Sequence, residues 1–368
     1  MKSSDAIVIG GGVIGCSIAY YLSKAGIKVT LLERGQIGME ASNAASGVLS
    51  TPLFKSEDPY SRMSVESLGM FPDLQQELQE TCGVDIEFAR CGELGLAMAE
   101  DEAGEYQDLA MKVAAAGGNA RWMDFDSLHD YEPQVGPEIL GGFYMPEVCR
   151  VNNQRLSLAF ARSAEWQGAR ILQSTEVVGL VRSGLQITGV RLSDDEVYAD
   201  NIIIAAGPWT RALAESVGGD IPVRPVKGLN LNLQPVGRSF RSVIHGSLGM
   251  LVPRADGSVI AGVTVEEAGF DCRVTTGAVQ EILAIVTSLV PSLRDAKLNW
   301  ALAGLRPGSP DDAPMMGPVP GWDGLLVATG HYRNGILLSP ITGKLIADYV
   351  AGKEPELIEH FSLGRFRE

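Results

Sequence analysis

A glycine-rich turn near the amino terminus constrains the fold of this chain more than any other sequence feature. The pattern GxGxxG is met by Gly10, Gly12 and Gly15. The turn follows the apolar run 6–9 and precedes residues 13–24, whose apolar spacing predicts a helix. A buried strand, a glycine turn and a helix in this order are typical of a parallel nucleotide-binding sheet.

The three glycines and a later acidic residue predict a dinucleotide site. Gly10 permits a tight turn, Gly12 lets backbone N–H groups approach a pyrophosphate, and Gly15 lets the helix pack closely on the strand. The next predicted strand, residues 28–32, is followed by Glu33, eighteen residues after Gly15, where a carboxylate can accept hydrogen bonds from an adenosine ribose. Because the same fingerprint serves NAD and FAD, the turn alone leaves the choice of dinucleotide open.

Two further segments favour a long ligand. Residues 41–47 read ASNAASG and are almost free of bulky side chains, as expected where backbone and short hydroxyls lie against a cofactor. Residues 330–337 form a second glycine turn before a predicted helix, whose N–H groups and dipole can face an electron-rich ring carbonyl. A tightly packed crossing of helices remains the alternative interpretation of the small-residue run.

The pattern of elements predicts an α/β (α+β) fold with two interleaved domains, since 368 residues exceed what one small core accommodates. The apolar runs 201–206 and 325–328 resemble the first strand and predict further parallel strands. Alternating segments at 228–233 and 258–263 predict a mostly antiparallel sheet with one exposed face, crossed by a helix over 276–290. The expected division is a discontinuous Rossmann-type dinucleotide-binding domain, 1–85 with 145–220 and 302–368, and a substrate-binding domain, 86–144 with 221–301.

Composition excludes several classes of protein. With 30 basic and 45 acidic side chains the formal charge is −15, which disfavours nucleic acid as a partner. The five cysteines are scattered and include no CxxC, so we expect neither a disulfide framework nor a metal site. No apolar run approaches the roughly 20 residues of a membrane span, and the amino terminus lacks a targeting pattern, so we expect a cytoplasmic protein.

The sequence resembles the D-amino-acid oxidase superfamily of FAD-dependent oxidoreductases, and within it the bacterial glycine oxidase branch associated with thiamine biosynthesis. The resemblance spans nearly the whole chain. It rests on the opening IVIGGGVIG…LLERG, the run ASNAASG, IIIAAGPW, PVKG (225–228), AGLRPGSPDDAP (303–314) and GHYRNGILLSPITG (330–343).

The resemblance implies that the dinucleotide is FAD and that the first domain binds it. Besides the three glycines of the turn, the implied contacts are Val13 and Ile14 in the first turn, Glu33 and Arg34 at the ribose, Ala41 and Ser42 at the phosphates, Ser46, Gly47 and Val48 beside the flavin, Val177 at the adenine end, and His331, Tyr332, Arg333, Asn334, Gly335, Ile336 and Leu337 around the isoalloxazine. Covalently flavinylated sarcosine oxidases use a cysteine after the AGLRPG-like motif. No cysteine follows Arg306 here, so we expect non-covalent FAD.

The resemblance also implies how a substrate is held. Arg306 matches the position that pairs with the substrate carboxylate, and Arg333 matches a second arginine on the substrate side. A planar guanidinium can bind a carboxylate through two parallel hydrogen bonds, although an ordinary ion pair within the protein remains the alternative for both arginines. Met250 stands where glycine oxidases carry an active-site tyrosine, so a hydroxyl contact is lost and a larger or secondary amine gains weight as the substrate.

The expected function is oxidative deamination of glycine, sarcosine or small D-amino acids to an imine and then a 2-oxo acid, with dioxygen reduced to hydrogen peroxide. No catalytic side chain is expected, because the flavin accepts the hydride. The alternative is a dehydrogenase subunit, of the hydroxyproline-oxidising or cyanide-forming type, that passes electrons to another acceptor. A module that modifies a tRNA base is disfavoured by the acidic charge. Whether the chain forms a homo-oligomer stays open.

Overall fold

The computed structural model describes residues 4–54, 56–237, 240–246, 249–262 and 264–366. Strands and helices are numbered in chain order. The strands are β1 (Ala6–Ile9), β2 (Val29–Leu32), β3 (Val48–Leu49), β4 (Ala89–Arg90), β5 (Glu93–Ala97), β6 (Arg121–Asp124), β7 (Gly141–Met145), β8 (Cys149–Arg150), β9 (Arg170–Leu172), β10 (Gly179–Ser183), β11 (Gln186–Arg191), β12 (Glu196–Tyr198), β13 (Asn201–Ile204), β14 (Arg224–Gln234), β15 (Val243–His245), β16 (Met250–Pro253), β17 (Val259–Gly262), β18 (Lys297–Gly308), β19 (Met315–Pro318) and β20 (Leu325–Thr329).

The helices predicted over 13–24 and 276–290 are both formed, the second one residue shorter than predicted. They are α1 (Val13–Lys24), α2 (Ala41–Ala44), α3 (Pro59–Cys82), α4 (Glu100–Ala115), α5 (Phe125–Tyr131), α6 (Asn153–Trp166), α7 (Thr210–Glu215), α8 (Thr276–Leu289), α9 (Gly335–Val350) and α10 (Glu356–His360). Short 3₁₀ segments lie at Gly207–Trp209, Pro291–Asp295 and Leu363–Phe366. Among the described residues, no helix combines the length and hydropathy that a bilayer crossing needs.

The first sheet has the strand order β19-β20-β13-β1-β2-β9, and all its strands are parallel except β19. Its central strands are apolar on both sides because each side is covered. In β1, Ala6 and Val8 pack into a core with α1, α3, α6 and α9, whereas Ile7 and Ile9 pack into a second core with β10 and β11. This double burial explains why β1, β13 and β20 read as continuous apolar runs rather than alternating ones.

The second sheet has eight strands in the order β18-β14-β17-β16-β15-β5-β7-β6, antiparallel except for the β15–β5 pair. Helix α8 covers one face through Ile282, Val286 and Leu289. The prediction of an exposed opposite face is wrong. Asn230 and Asn232 of β14 are only 2% and 7% exposed, because Asn230 lines an internal cavity and Asn232 is hydrogen-bonded to Ser258 and Asn299.

The predicted division into two domains stays a prediction, although the boundaries can be compared with the strands. The boundary at 144 falls inside β7 and the boundary at 301 falls inside β18. Both strands are continuous because each hydrogen-bonds to neighbours along its length. The predicted strand over 258–263 corresponds to β17, and its last residue, Val263, lies outside the described residues.

Candidate functional site

A cavity of about 980 Å³ lies where the carboxyl ends of the parallel strands meet the inner face of the eight-stranded sheet. Gly10, Glu33, Ala205 and His331 follow β1, β2, β13 and β20, and all four line it. This is the edge at which open parallel sheets bind ligands, and the volume is at the upper end of the roughly 300–1,000 Å³ of ligand pockets. The site thus has room for a ligand as large as a dinucleotide.

Most residues predicted from the sequence line this one cavity. They are Gly10, Gly12, Val13, Ile14, Glu33, Arg34, Ala41, Ser42, Ser46, Gly47, Val48, Val177, Met250, Arg306, His331, Tyr332, Arg333, Asn334, Gly335 and Ile336. Gly15 and Leu337 do not. Gly15 faces the β1 side of α1, and Leu337 is 1% exposed within the helical core. Gly15 thus has the packing role predicted for it, and the contact of Leu337 with the cofactor stays a prediction.

The first turn can be built only with glycine at two of its positions. Gly10 has φ +108°, and a Cβ there would lie 2.5 Å from the carbonyl oxygen of Ala205. A Cβ on Gly15 would lie 1.9 Å from the carbonyl oxygen of Gly10, so α1 approaches β1 as closely as backbone atoms allow. These contacts agree with the turn and packing roles predicted for the first and third glycines.

Glu33 is held in one orientation beside this turn. Its Oε2 accepts a hydrogen bond from the amide of Gly11 at 2.6 Å, and its Oε1 accepts one from the amide of Gly35 at 2.7 Å. Each carboxylate oxygen can accept a further bond from a ligand hydroxyl. Next to it, the Arg34 guanidinium stacks 3.9 Å from the ring centre of Trp209, which gives this end of the cavity a flat wall.

The small-residue run 41–47 lies close against two backbone segments, the start of α1 and the chain at Val151. The amide of Val13, at the start of α1, donates to the Ser42 hydroxyl at 2.9 Å. Gly47 has φ +75°, and a Cβ there would lie 2.3 Å from the carbonyl oxygen of Val151. A larger residue at Gly47 would push the run out of its place along the cavity wall.

The loop before α9 contains a buried histidine with a free ring nitrogen. His331 Nε2 lies 3.0 Å from the Thr342 hydroxyl, whereas Nδ1 has no partner among the described residues. Burial lowers the pKa of His331 to about 3, so the ring is neutral at physiological pH. Tyr332 adopts the left-handed conformation, with φ +46°, which is uncommon for a non-glycine residue and turns the chain into Gly335 at the start of α9.

Arg306 lies across the sheet above a glycine. Its guanidinium nitrogens lie 2.1 and 2.3 Å from where a Cβ on Gly228 would stand, so only glycine leaves room for it. Nη1 donates to the carbonyl oxygens of Thr264 at 3.2 Å and Lys227 at 3.4 Å. Burial, and to a smaller extent the charge on Arg333, lower the pKa of Arg306. In the part of the chain that the structure describes, no carboxylate forms an ion pair with Arg306.

Arg333 and Met250 complete the wall of the cavity near Arg306. The Arg333 guanidinium lies 5.1 Å from the ring centre of Tyr332 and donates to its hydroxyl at 3.4 Å. Met250 begins β16, where it pairs with His245 and Gly262 on the neighbouring strands. The thioether offers no strong hydrogen bond, so this part of the wall is apolar.

Several lining residues were missed by reasoning from the sequence. Asn230 donates to the carbonyl oxygen of Ala44 at 2.6 Å, while its own Oδ1 has no partner among the described residues. Glu93 and His245 line the cavity from β5 and β15. The glycine of PVKG, Gly228, is a sequence signal for a close approach, which the structure shows to be that of the Arg306 guanidinium. Nothing local marked Glu93, because it is a single charged residue at the start of an otherwise apolar strand.

The residues present fit FAD. Three features of the described residues carry this fit: the glycine turn whose Cβ positions are filled by backbone, the Nδ1 of buried His331, which has no partner among them, and the partly buried Arg306, which has no counterion among them. The turn and the amino end of α1 suit a pyrophosphate, and Glu33 suits a ribose. Arg306 lines the same cavity and suits a carboxylate.

Comparison with known proteins supports the same conclusion. The profile of the family described as FAD dependent oxidoreductase (DAO) matches residues 5–349. The glycine oxidase of Pseudomonas aeruginosa is 34% identical over 356 residues, which cover 96% of each chain. The bifunctional protein ThiO/ThiG of Trichormus variabilis is 32% identical over 371 residues, which cover 99% of this chain but 55% of that longer protein.

Several solved structures have the same fold as this chain. The glycine oxidase of Geobacillus kaustophilus superposes with a TM-score of 0.93 at 32% identity and covers 99% of both chains. The glycine oxidase of Bacillus cereus superposes with a TM-score of 0.91 at 32% identity over the full length of both. An iminodiacetate oxidase from Chelativorans has a TM-score of 0.87 at 25% identity. The cavity thus lies in a fold shared with enzymes that oxidise amines.

Proposed function

Because this chain belongs to the DAO family of FAD-dependent oxidoreductases, we propose that it oxidises glycine or a related small amine, such as sarcosine or a small D-amino acid. The product is an imine that hydrolyses to a 2-oxo acid, and dioxygen is the electron acceptor. The observation that carries the proposal is Arg306, a partly buried guanidinium without a carboxylate partner in the described chain, on the wall of the large cavity.

FAD is the cofactor of this family, and we propose that it binds without a covalent link. Gly10, Gly12 and the first amides of α1 would hold its pyrophosphate, and Glu33 would hold its ribose. Residues 331–336, at the amino end of α9, would surround the ring system. When bound, FAD supplies the hydride acceptor that no side chain of the cavity can replace.

The arginines do the protein's part of the chemistry. Arg306 pairs with the substrate carboxylate through two parallel hydrogen bonds, which fixes the orientation of the α-carbon. The positive charges of Arg306 and Arg333 disfavour a third positive charge nearby and therefore lower the pKa of the substrate ammonium. The neutral amine, which can release a hydride, is favoured as a result. His331 is neutral and buried, so it contributes hydrogen-bonding atoms to the cavity wall and does not act as a base.

Met250 affects the choice among amines. A tyrosine at this position could donate a hydrogen bond to the carboxylate, worth roughly 1.5–3 kcal/mol when the acceptor is charged. Methionine instead offers a flexible apolar surface. We therefore propose that substrates larger than glycine gain more from this wall than glycine does.

The purified protein loaded with FAD should be bleached anaerobically by at least one amine of a panel containing glycine, sarcosine and small D-amino acids. On admission of air it should form one peroxide per amine oxidised, without an added dye. Bleaching with peroxide formed only slowly, but rapid dye reduction, would assign the chain to the dehydrogenase class. No bleaching by any amine would overturn the proposal.

Glu33→Ala should weaken FAD binding roughly ten- to a hundredfold, since a hydrogen bond to a charged group is lost. It leaves the amides of Gly11 and Gly35 without their acceptor as well. Turnover of the FAD-saturated variant should stay near the wild-type value, because Glu33 lies at the ribose end. Fluorescence titration of the apoprotein with FAD measures this effect, with the exposed Glu138→Ala as the control. Equal FAD affinity in both variants would remove Glu33 from the site.

A further inference from the structure

A carboxylate faces the cavity from a strand far from Arg306. Glu93 is the first residue of β5, is 7% exposed, and lines the cavity together with His245 and Met250. Strand β15 carries His245 and lies between β5 and β16, and Glu93 pairs with Val243 on it. Glu93 thus shares a sheet face with the residues that surround the proposed substrate.

This carboxylate lacks the partners that a buried acid normally has. In the described ranges of the chain, no hydrogen bond to the Glu93 side chain is formed. Its Oε1 lies 4.0 Å from Nδ1 of His245, which is beyond hydrogen-bond distance. Buried polar groups are almost always hydrogen-bonded, because an unpaired charge in a protein interior is costly. The carboxylate is therefore arranged for a donor that comes from the cavity.

The distance across the sheet shows which part of a ligand can reach Glu93. The guanidinium of Arg306 lies above Gly228 on β14, and strands β17, β16 and β15 separate β14 from β5. At about 4.8 Å per strand, four steps are on the order of 19 Å between backbones. From this spacing along the sheet we expect a glycine held by its carboxylate at Arg306 to be too short to touch Glu93.

We propose that Glu93, with His245 beside it, forms a distal subsite for an ammonium or other hydrogen-bond donor at the far end of a substrate whose carboxylate is held by Arg306. The inference rests on the proposed function and names the substrate class more closely: an amino acid or N-substituted glycine with an extended basic tail. Glycine and sarcosine fill only the Arg306 end of the cavity. A tail that ends in a carboxylate is disfavoured because it meets a like charge.

The test uses the FAD-loaded enzyme and a series of N-(ω-aminoalkyl)glycines of increasing chain length. Each is compared with the N-alkylglycine whose terminal methyl replaces the ammonium, and with the analogue that ends in a carboxylate. Dissociation constants and reduction rates are read from anaerobic flavin bleaching. At one chain length the ammonium should be preferred over the methyl by about tenfold or more, as expected for a hydrogen bond to a charged group.

Two variants separate the charge of Glu93 from its shape. Glu93→Gln should abolish the ammonium preference, since it keeps the volume and removes the charge. Glu93→Asp should restore the preference at a chain one methylene longer, because its carboxylate lies closer to the strand. Glu100→Gln, at an exposed position on α4, changes the net charge equally and should leave the preference as in the wild type.

The wild-type enzyme offers a test that needs no variant. Burial raises the pKa of Glu93 to about 7. The titratable groups that face it are His245 on β15, whose pKa burial lowers, and Tyr106 on α4, whose pKa burial raises, so both are neutral when Glu93 ionises. The ratio of ammonium-tail to methyl-tail binding should therefore increase as pH rises from about 6 to 8. Glu93→Gln should make this ratio independent of pH.

The outcomes distinguish the two proposals. If no chain length favours the ammonium, or if Glu93→Gln retains the preference, the distal subsite is wrong even though amine oxidation stands. If no amine in either panel bleaches the flavin, the proposed function itself fails and the subsite fails with it.

Discussion

Arg306→Ala is expected to weaken the binding of an amino-acid substrate by about 3–5 kcal/mol, which corresponds to a factor of roughly 150 to 5,000 in the dissociation constant. The variant removes the only proposed carboxylate partner and leaves Arg333, on the same wall, as the remaining cation proposed near the substrate anion. FAD should remain bound, because the hydrogen bonds of Arg306 among the described residues go to the carbonyl oxygens of Lys227 and Thr264 and not to the glycine turn or Glu33. Anaerobic titration with sarcosine, followed by flavin absorbance, measures both quantities in one experiment.

The matched control is Arg294→Ala, which removes an exposed arginine and should leave substrate binding unchanged. Arg306→Lys should recover only part of the affinity, since an ammonium cannot form two parallel bonds to a carboxylate. The thermal stability of substrate-free Arg306→Ala should not decrease markedly, because the variant removes a partly buried cation that has no counterion among the described residues. A wild-type dissociation constant in Arg306→Ala would exclude this residue from the substrate site.

Gly15→Ala is expected to destabilise the protein and to impair its loading with FAD. The added Cβ would lie 1.9 Å from the carbonyl oxygen of Gly10, a backbone atom that cannot rotate away. Helix α1 must then move off β1, which costs about 1–3 kcal/mol or more by analogy with overpacked cores. Because the same helix presents its amino end to the cavity, the shift also disturbs the turn that would hold the pyrophosphate.

Gly104→Ala is the control for this substitution. Gly104 lies in the exposed part of α4, has ordinary helical φ, and no heavy atom lies within 4 Å of an added Cβ. There alanine should stabilise the helix by about 0.5–1 kcal/mol. Melting temperatures and FAD content of both variants measure the contrast. An increase in stability in Gly15→Ala would contradict the close packing of α1 on β1.

The local pattern of apolar residues and glycines predicts much of the fold. The helix predicted over 13–24 is α1, and the helix predicted after the second glycine turn is α9, which begins at Gly335. The apolar runs became central parallel strands, because burial on both sides leaves no polar alternation. The prediction is wrong for β14, where alternating polar and apolar residues predict an exposed sheet face. Asn230 and Asn232 alternate with apolar residues but are buried, Asn230 against the cavity and Asn232 in hydrogen bonds with Ser258 and Asn299.

The sequence by itself determined the parallel nucleotide-binding sheet, the glycine turn and the acid that follows β2, because each depends on residues close along the chain. Family resemblance added the cofactor and the two arginines. Only the tertiary structure decided what lies across the sheet: the guanidinium of Arg306 above Gly228, and Glu93 beside His245. Such pairs join strands distant in sequence. No local sequence periodicity predicts such pairs, because strand order and register are set by the packing of the whole sheet.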